Sequence, residues 1–143
     1  MSRAQESPPP GGAQLIAQFL PVSPFVRHLG IRLERLEPDR ALLAMPFGEP
    51  LVTIDDVVHG GAVSSLIDTA AMAAAWSTPE VPENIRGTTV GLSVQFLAAA
   101  RGRELLADAS VIRRGKSLCY CEVGVSDSDG QLVAKGLVTY KLG

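Results

Sequence analysis

The hydrophobic pattern changes period twice along this chain. In the second half, Val90, Leu92, Val94 and Phe96 alternate with Thr89, Gly91, Ser93 and Gln95, a period of two that predicts a strand. Leu105, Ala107, Ala109 and Val111 repeat the alternation in a second strand. Arg113-Arg114-Gly115-Lys116 is expected to turn the chain, Leu118 to Val125 to return, Asp129-Gly130 to turn it again, and Leu132 to Leu142 to close. The last three strands then form an antiparallel meander, with Asp-Gly as a strong hairpin signal. Before them, residues 59–77 (HGGAVSSLIDTAAMAAAWS) lose the alternation. This stretch is rich in Ala, Leu and Met, holds no Pro and stops before Pro79, so it reads as a helix. It is apolar nearly all round, and burial on most sides follows.

Nearer the N-terminus, Ala13 to Leu20 suits a short helix ended by Pro21, and Ser23-Pro24 suits a second helix start, with Ser as cap and Gly30 as stop signal. Ile31–Glu37 and Arg40–Phe47 are extended candidates joined by a tight turn at Pro38-Asp39, and Gly48 to Val58 reads as a loop. Residues 1–12 form a Pro- and Gly-rich leader, expected to be flexible, ahead of a single domain over 13–143. The order is two strands, one long buried helix and four long antiparallel strands. A twisted sheet curling round one apolar helix buries both. That arrangement is the hotdog fold, an α+β architecture.

Composition narrows the function classes. A chain of 143 residues is of single-domain length. With 5% aromatic residues, its core must be filled mainly by Ala, Val, Leu and Ile. A net charge of −2 gives no basic footprint for nucleic acid. No apolar run after a basic start marks a signal peptide, and no stretch is long and uninterrupted enough to span a membrane; a cytoplasmic location is the expectation. Cys119 and Cys121 are poorly spaced for zinc and read as small buried apolar residues sharing one face of a strand. No cluster of His, Cys and carboxylates has ligand spacing, so no metal is expected.

The chemistry concentrates on the buried helix. His59-Gly60-Gly61 opens it, where the first backbone N–H groups lack helical partners and the dipole adds partial positive charge. Glycine lets a ligand approach that backbone, so the Gly60 N–H is placed to polarise a carbonyl as an oxyanion donor. Asp68 is the only charged residue from Gly60 to Ser77. A carboxylate buried without a purpose is costly. Eight residues separate the two, roughly 12 Å along a helix, so one carbonyl cannot touch both groups of the same chain. If both act together, they come from different subunits related by a two-fold axis.

His59-Gly60-Gly61 followed by Asp68-Thr69, the Arg-Gly-Lys turn at 114–116 and Asp129-Gly130 before the last strand resemble the PaaI-like hotdog acyl-CoA thioesterases, over roughly residues 25 to 142. The resemblance implies hydrolysis of acyl-CoA to free acid and CoA, with CoA as part of the substrate and no separate cofactor. Asp68 matches the family's nucleophile or general base and Gly60 its carbonyl-activating amide. Thr89 matches a Ser or Thr that positions the attacking water. The active site is expected at the interface of a homodimer, itself half of a dimer of dimers. The family often has Asn six residues before the His; here that position is Thr53.

Other readings stand beside these. Asp68 could be a structural acid bonded to Ser64 or Ser65. His59 could order the loop or the substrate, and Gly61 could serve the substrate or close packing. Arg113, Arg114 and Lys116 are either a solvated turn or a grip on the nucleotide phosphates. A medium-chain or aryl acyl group is expected, in a pocket lined by small residues such as Ala70, Ala71 and Ala74. The paired His and acid of a hotdog dehydratase are not found. A non-catalytic acyl-CoA-binding or regulatory protein is the alternative, kept open chiefly by Thr53.

Overall fold

A computed structural model describes residues 11–143. Most of the leader lies outside them, but Gly12 opens a helix, α1 (Gly12–Phe19), one residue before its expected start. Gly12 is there for close approach: a Cβ at that position would lie 1.7 Å from the carbonyl oxygen of Trp76. A tight turn at Leu20–Val22 leads to α2 (Pro24–Leu29), which ends as expected on Gly30 in the left-handed conformation (φ 71°). Ser23 occupies the cap position but its side chain makes no capping bond; its carbonyl accepts from Arg27 instead.

Strands β1 (Arg32–Glu37) and β2 (Arg40–Met45) form the expected hairpin, with Asp39 at φ 61° in its turn. The loop expected over Gly48–Val58 instead contains a small hairpin, β3 (Val52–Ile54) with β4 (Val57–Val58). Strands of three and two residues are too short to carry a readable period, and the turn rests on Asp55 at φ 52°. Then come α3 (Gly60–Trp76), β5 (Gly87–Phe96), β6 (Leu105–Arg114), β7 (Leu118–Asp127) and β8 (Leu132–Leu142). Arg113 and Arg114, expected in a turn, still pair with Tyr120 and Cys119 on β7, so the turn itself is Gly115–Ser117.

The six long strands make one antiparallel sheet in the order β1-β2-β6-β7-β8-β5. The meander β6-β7-β8 is as expected, while β5 crosses to the far edge and pairs only with β8. The concave face wraps α3, which packs on β2, β6, β7 and β8. This is the hotdog arrangement, a helix laid in a curved sheet. Leu66, Ile67, Ala70, Ala71, Ala73, Ala74 and Ala75 are fully buried against it. Close approach is set at Gly136 on β8, where a Cβ would lie 2.6 Å from Ile67. Cys119 and Cys121 face the same core as expected, and Cys121 Sγ lies 3.7 Å from the Ala71 carbonyl. The neighbouring Cys119 thiol and burial push the Cys121 thiol far above its usual range, which keeps it protonated and inert.

Burial on α3 is not complete. Ser64, Ser65, Asp68, Thr69 and Met72 form a half-buried stripe at helical spacing, leading on from exposed Gly61. No helix among the described residues is long and apolar enough to cross a membrane.

Candidate active site

Asp68 sits in the middle of that stripe. Its partner is Thr89 on β5, whose Oγ1 donates to Asp68 Oδ1 at 2.6 Å, a charge-assisted hydrogen bond. Ser65 Oγ donates instead to the Gly61 carbonyl at 2.8 Å, and Thr69 Oγ1 to the Ser65 carbonyl at 2.7 Å. The reading of Asp68 as an acid held by Ser64 or Ser65 therefore fails; the strand holds it.

Thr89 reaches Asp68 because β5 carries a bulge. Strict alternation puts Thr89 with Gly91, Ser93 and Gln95 on the outer face. In the structure Thr89 pairs with Tyr140 and Gly91 with Thr139, leaving Val90 as the extra residue. Tyr140 and Val138 are buried on the inner face, so Thr89 shares that face with Leu92, Val94 and Phe96. One inserted residue turns the hydroxyl inward. Tyr140 also receives a hydrogen bond from Trp76 Nε1 at 3.0 Å. Burial raises the Tyr140 hydroxyl above its usual range and the nearby Asp68 carboxylate adds to this, against the bond from Trp76.

At the other end of α3, His59 is the N-cap and its Nδ1 accepts from Gly61 N–H at 2.7 Å. The imidazole is thus committed to shaping the helix start, consistent with an ordering role. Among the described residues no acceptor meets the Gly60 N–H. Phe96 covers Gly60 so closely that a Cβ there would lie 3.2 Å from the ring. Gly60, Phe96 and Thr53 line one concavity of about 410 Å³, together with Val57 and the segment 97–100. Thr53, on β3, thus lines the same concavity as the free amide.

The basic residues of the β6–β7 turn do not form one patch. Arg114 points inward and pairs with Asp39 at 2.7 Å, while Arg113 lies opposite Tyr120 on the outer face. Arg113 and Lys116 share an open concavity of about 550 Å³ with Ser117 and Tyr120, and no carboxylate among the described residues pairs with either. Ala70, Ala71 and Ala74, expected to line the acyl pocket, are fully buried against the sheet; the apolar groove that begins one helical turn beyond Asp68 is built instead from Met72, Trp76 and Tyr140, with α1. Small residues on this helix serve close packing, and large ones make the wall. Among the described residues no group of three or more His, Cys, Asp or Glu is placed to hold a metal ion.

Comparison with known proteins decides the family. Residues 55–134 match the model of the thioesterase superfamily, more than half of the chain. The chain belongs to that superfamily. The medium/long-chain acyl-CoA thioesterase YigI of Escherichia coli is 30% identical over 134 residues, covering 84% of this chain and 86% of YigI. A thioesterase family protein from Silicibacter pomeroyi superposes with a TM-score of 0.84 at 30% identity, over 93% of this chain and all of that one. The PaaI protein of the E. coli phenylacetic acid degradation operon shares the fold, with a TM-score of 0.80 at 21% identity over 92% of this chain and 94% of its own. The resemblance to hotdog thioesterases therefore holds at the level of the superfamily, and the likeness to PaaI at the level of the fold. The superfamily match begins at Asp55 and so includes the HGG segment, Asp68 and Thr89.

Proposed function

We propose that the protein hydrolyses acyl-CoA thioesters to free acid and CoA, at a site shared between two copies of the chain. The observation that carries this reading is the Asp68–Thr89 bond: a lone carboxylate on an apolar helix, with one oxygen held by a hydroxyl and the side chain still half-exposed. The acyl-CoA thioesterase activity of the YigI relative supports the same substrate class.

In this reading Asp68 either attacks the thioester carbonyl or takes a proton from the attacking water. The Gly60 amide of the other subunit stabilises the oxyanion, and collapse expels the CoA thiolate. On the first route this leaves an acyl anhydride on Asp68 that a water then hydrolyses; on the second the free acid forms directly. On both, a proton of that water passes to the thiolate. Hydrolysis consumes one water whichever route is followed, and both routes need the same groups. Thr89 fixes the carboxylate and helps to place the water. His59 holds the loop that presents Gly60, and Gly61 closes that turn. Thr53 lines the concavity onto which the Gly60 amide opens.

Two features support the shared site. Gly60 and Asp68 of one chain are separated by eight residues of helix, roughly 12 Å. The inner face of the edge strand β5 also carries exposed apolar side chains: Leu92 and Phe96 are 45% and 56% exposed. A second copy covering β5 would bring its Gly60 to Asp68, and pairing of such dimers would complete a tetramer. Arg113 and Lys116, which pair with no carboxylate among the described residues, are suited to CoA phosphates, whereas Arg114 is held by Asp39. A cytoplasmic enzyme needing no added cofactor fits this chemistry.

The test is thiol release from a panel of acyl-CoA thioesters by the native chain and by Asp68→Asn. The substitution is expected to lower kcat by ~10²-fold or more with the oligomeric state kept. Equal rates would remove Asp68 from the mechanism. Thr53, in place of the family's frequent Asn, favours a second reading as a non-catalytic acyl-CoA-binding protein; tight binding with no turnover by either chain would establish it.

A further inference from the structure

Beside Asp68 runs a groove of about 350 Å³, walled by Leu15 and Phe19 from α1, Met72 and Trp76 from α3, Ile85 from the loop before β5, and Tyr140 from β8. Met72 follows Asp68 by one helical turn, and Tyr140 lies directly across from Thr89 in the sheet. The groove therefore begins where the Asp68–Thr89 pair ends. Its side-chain lining is apolar except for the Trp76 indole N–H and the Tyr140 hydroxyl, which are already bonded to each other at 3.0 Å. The indole N–H is thereby satisfied, and the rest of the side-chain lining offers a polar occupant only the Tyr140 hydroxyl, so the groove suits an apolar one. At the mouth, Phe19 and Ile85 are 46% and 62% exposed, apolar surface that an occupant would cover.

We infer that this groove holds the tail of a medium-chain acyl group, with the Trp76–Tyr140 pair as its floor and Met72 as the residue that sets its width. The inference rests on the thioesterase reading and adds the substrate class to it. From Asp68 to Trp76 is eight residues, roughly 12 Å of helix. With its carbonyl at Asp68, a medium-chain tail laid along α3 toward the C-terminus fills that length. A short acyl group or a single aryl ring ends beside Met72 and leaves the Trp76 end to water. Gly87, the first residue of β5, also lines the groove, and a Cβ there would meet the Tyr140 hydroxyl at 2.2 Å. Glycine at that position thus keeps the floor in place.

Two readouts in the full-length protein test this. Trp76 is the only tryptophan, so its emission reports on the floor of the groove. Titration with a non-hydrolysable decyl-CoA thioether is expected to give a saturable shift to shorter wavelength, and ethyl-CoA thioether none. Kinetically, Met72→Trp is expected to lower the ratio of kcat/KM for decanoyl-CoA over butyryl-CoA by ~10-fold or more, since a filled pocket discriminates on this scale. Ile85→Asp, at an exposed rim position where the fold is not at risk, is expected to lower the same ratio by a few-fold. A ratio unmoved in both variants overturns the groove while leaving a thioesterase. Absence of hydrolysis by the native chain overturns the thioesterase reading instead; the emission shift alone then decides whether the groove binds an acyl tail, and no shift overturns it.

Discussion

β5 and β7 are both ten-residue strands with alternating apolar side chains, and they meet opposite fates. On β7 the inward residues Cys119, Cys121, Val123 and Val125 are at most 1% exposed. On β5 the inward Leu92 and Phe96 are 45% and 56% exposed. β7 lies between β6 and β8 under α3, and β5 is an edge with a neighbour on one side only. Alternation specifies which face of a strand is apolar; it does not say what covers that face. On β7 the chain's own helix supplies the cover. On β5 the apolar face is left for something else, and it carries Thr89, the residue that holds Asp68.

Substitutions at matched positions can break the contrast. Val123→Asp would put an unpaired carboxylate into the centre of the core at a cost of several kcal/mol, comparable with the whole stability of a small domain. Loss of the cooperative unfolding transition by circular dichroism is expected. Leu92→Asp, on the uncovered strand, is expected to leave that transition in place. It should instead dissociate the assembly, seen as a lower mass by light scattering, and hydrolysis should fall with it. If Leu92→Asp unfolds the chain as Val123→Asp does, the two strands do not differ in the way described.

A smaller change sharpens the functional side. Thr89→Val keeps the shape of the side chain and removes the 2.6 Å bond to Asp68. A hydrogen bond to a charged group is worth about 1.5–3 kcal/mol, so kcat should fall by roughly 10- to 100-fold with the assembly intact. An unchanged rate would make the bulge a structural feature only. The smallest expected effect is that of Tyr140→Phe on β8, the strand between the two. It leaves the buried Trp76 indole N–H without its partner and should destabilise the fold by about 1–2 kcal/mol, read by urea unfolding.

Much of this was legible beforehand. The long helix, the two hairpins and the meander follow from period, Pro and Gly. His59-Gly60-Gly61 and the lone Asp68 stand out because their chemistry is wrong for a buried apolar helix. Other features had no such mark. The β3–β4 hairpin is too short for a period. Alternation put Thr89 on the outer face, and only the bulge at Val90 turns it inward. Ala70, Ala71 and Ala74 are small enough to line a pocket, yet smallness served helix-to-sheet packing instead. Arg113 and Arg114 are adjacent in sequence, and strand geometry sends them to opposite faces, one of them to Asp39.

The chain alone therefore determined its elements, their apolar faces and the residues able to do chemistry, because these depend on steric preferences and charge within a few neighbouring residues. The tertiary structure decided which strand became the uncovered edge, where a bulge reversed a side chain, and which large residues walled the groove beside Asp68. Those outcomes arise from pairings between residues far apart in the chain, such as Thr89 with Tyr140 or Trp76 with Tyr140, and no local pattern encodes a partner that distant.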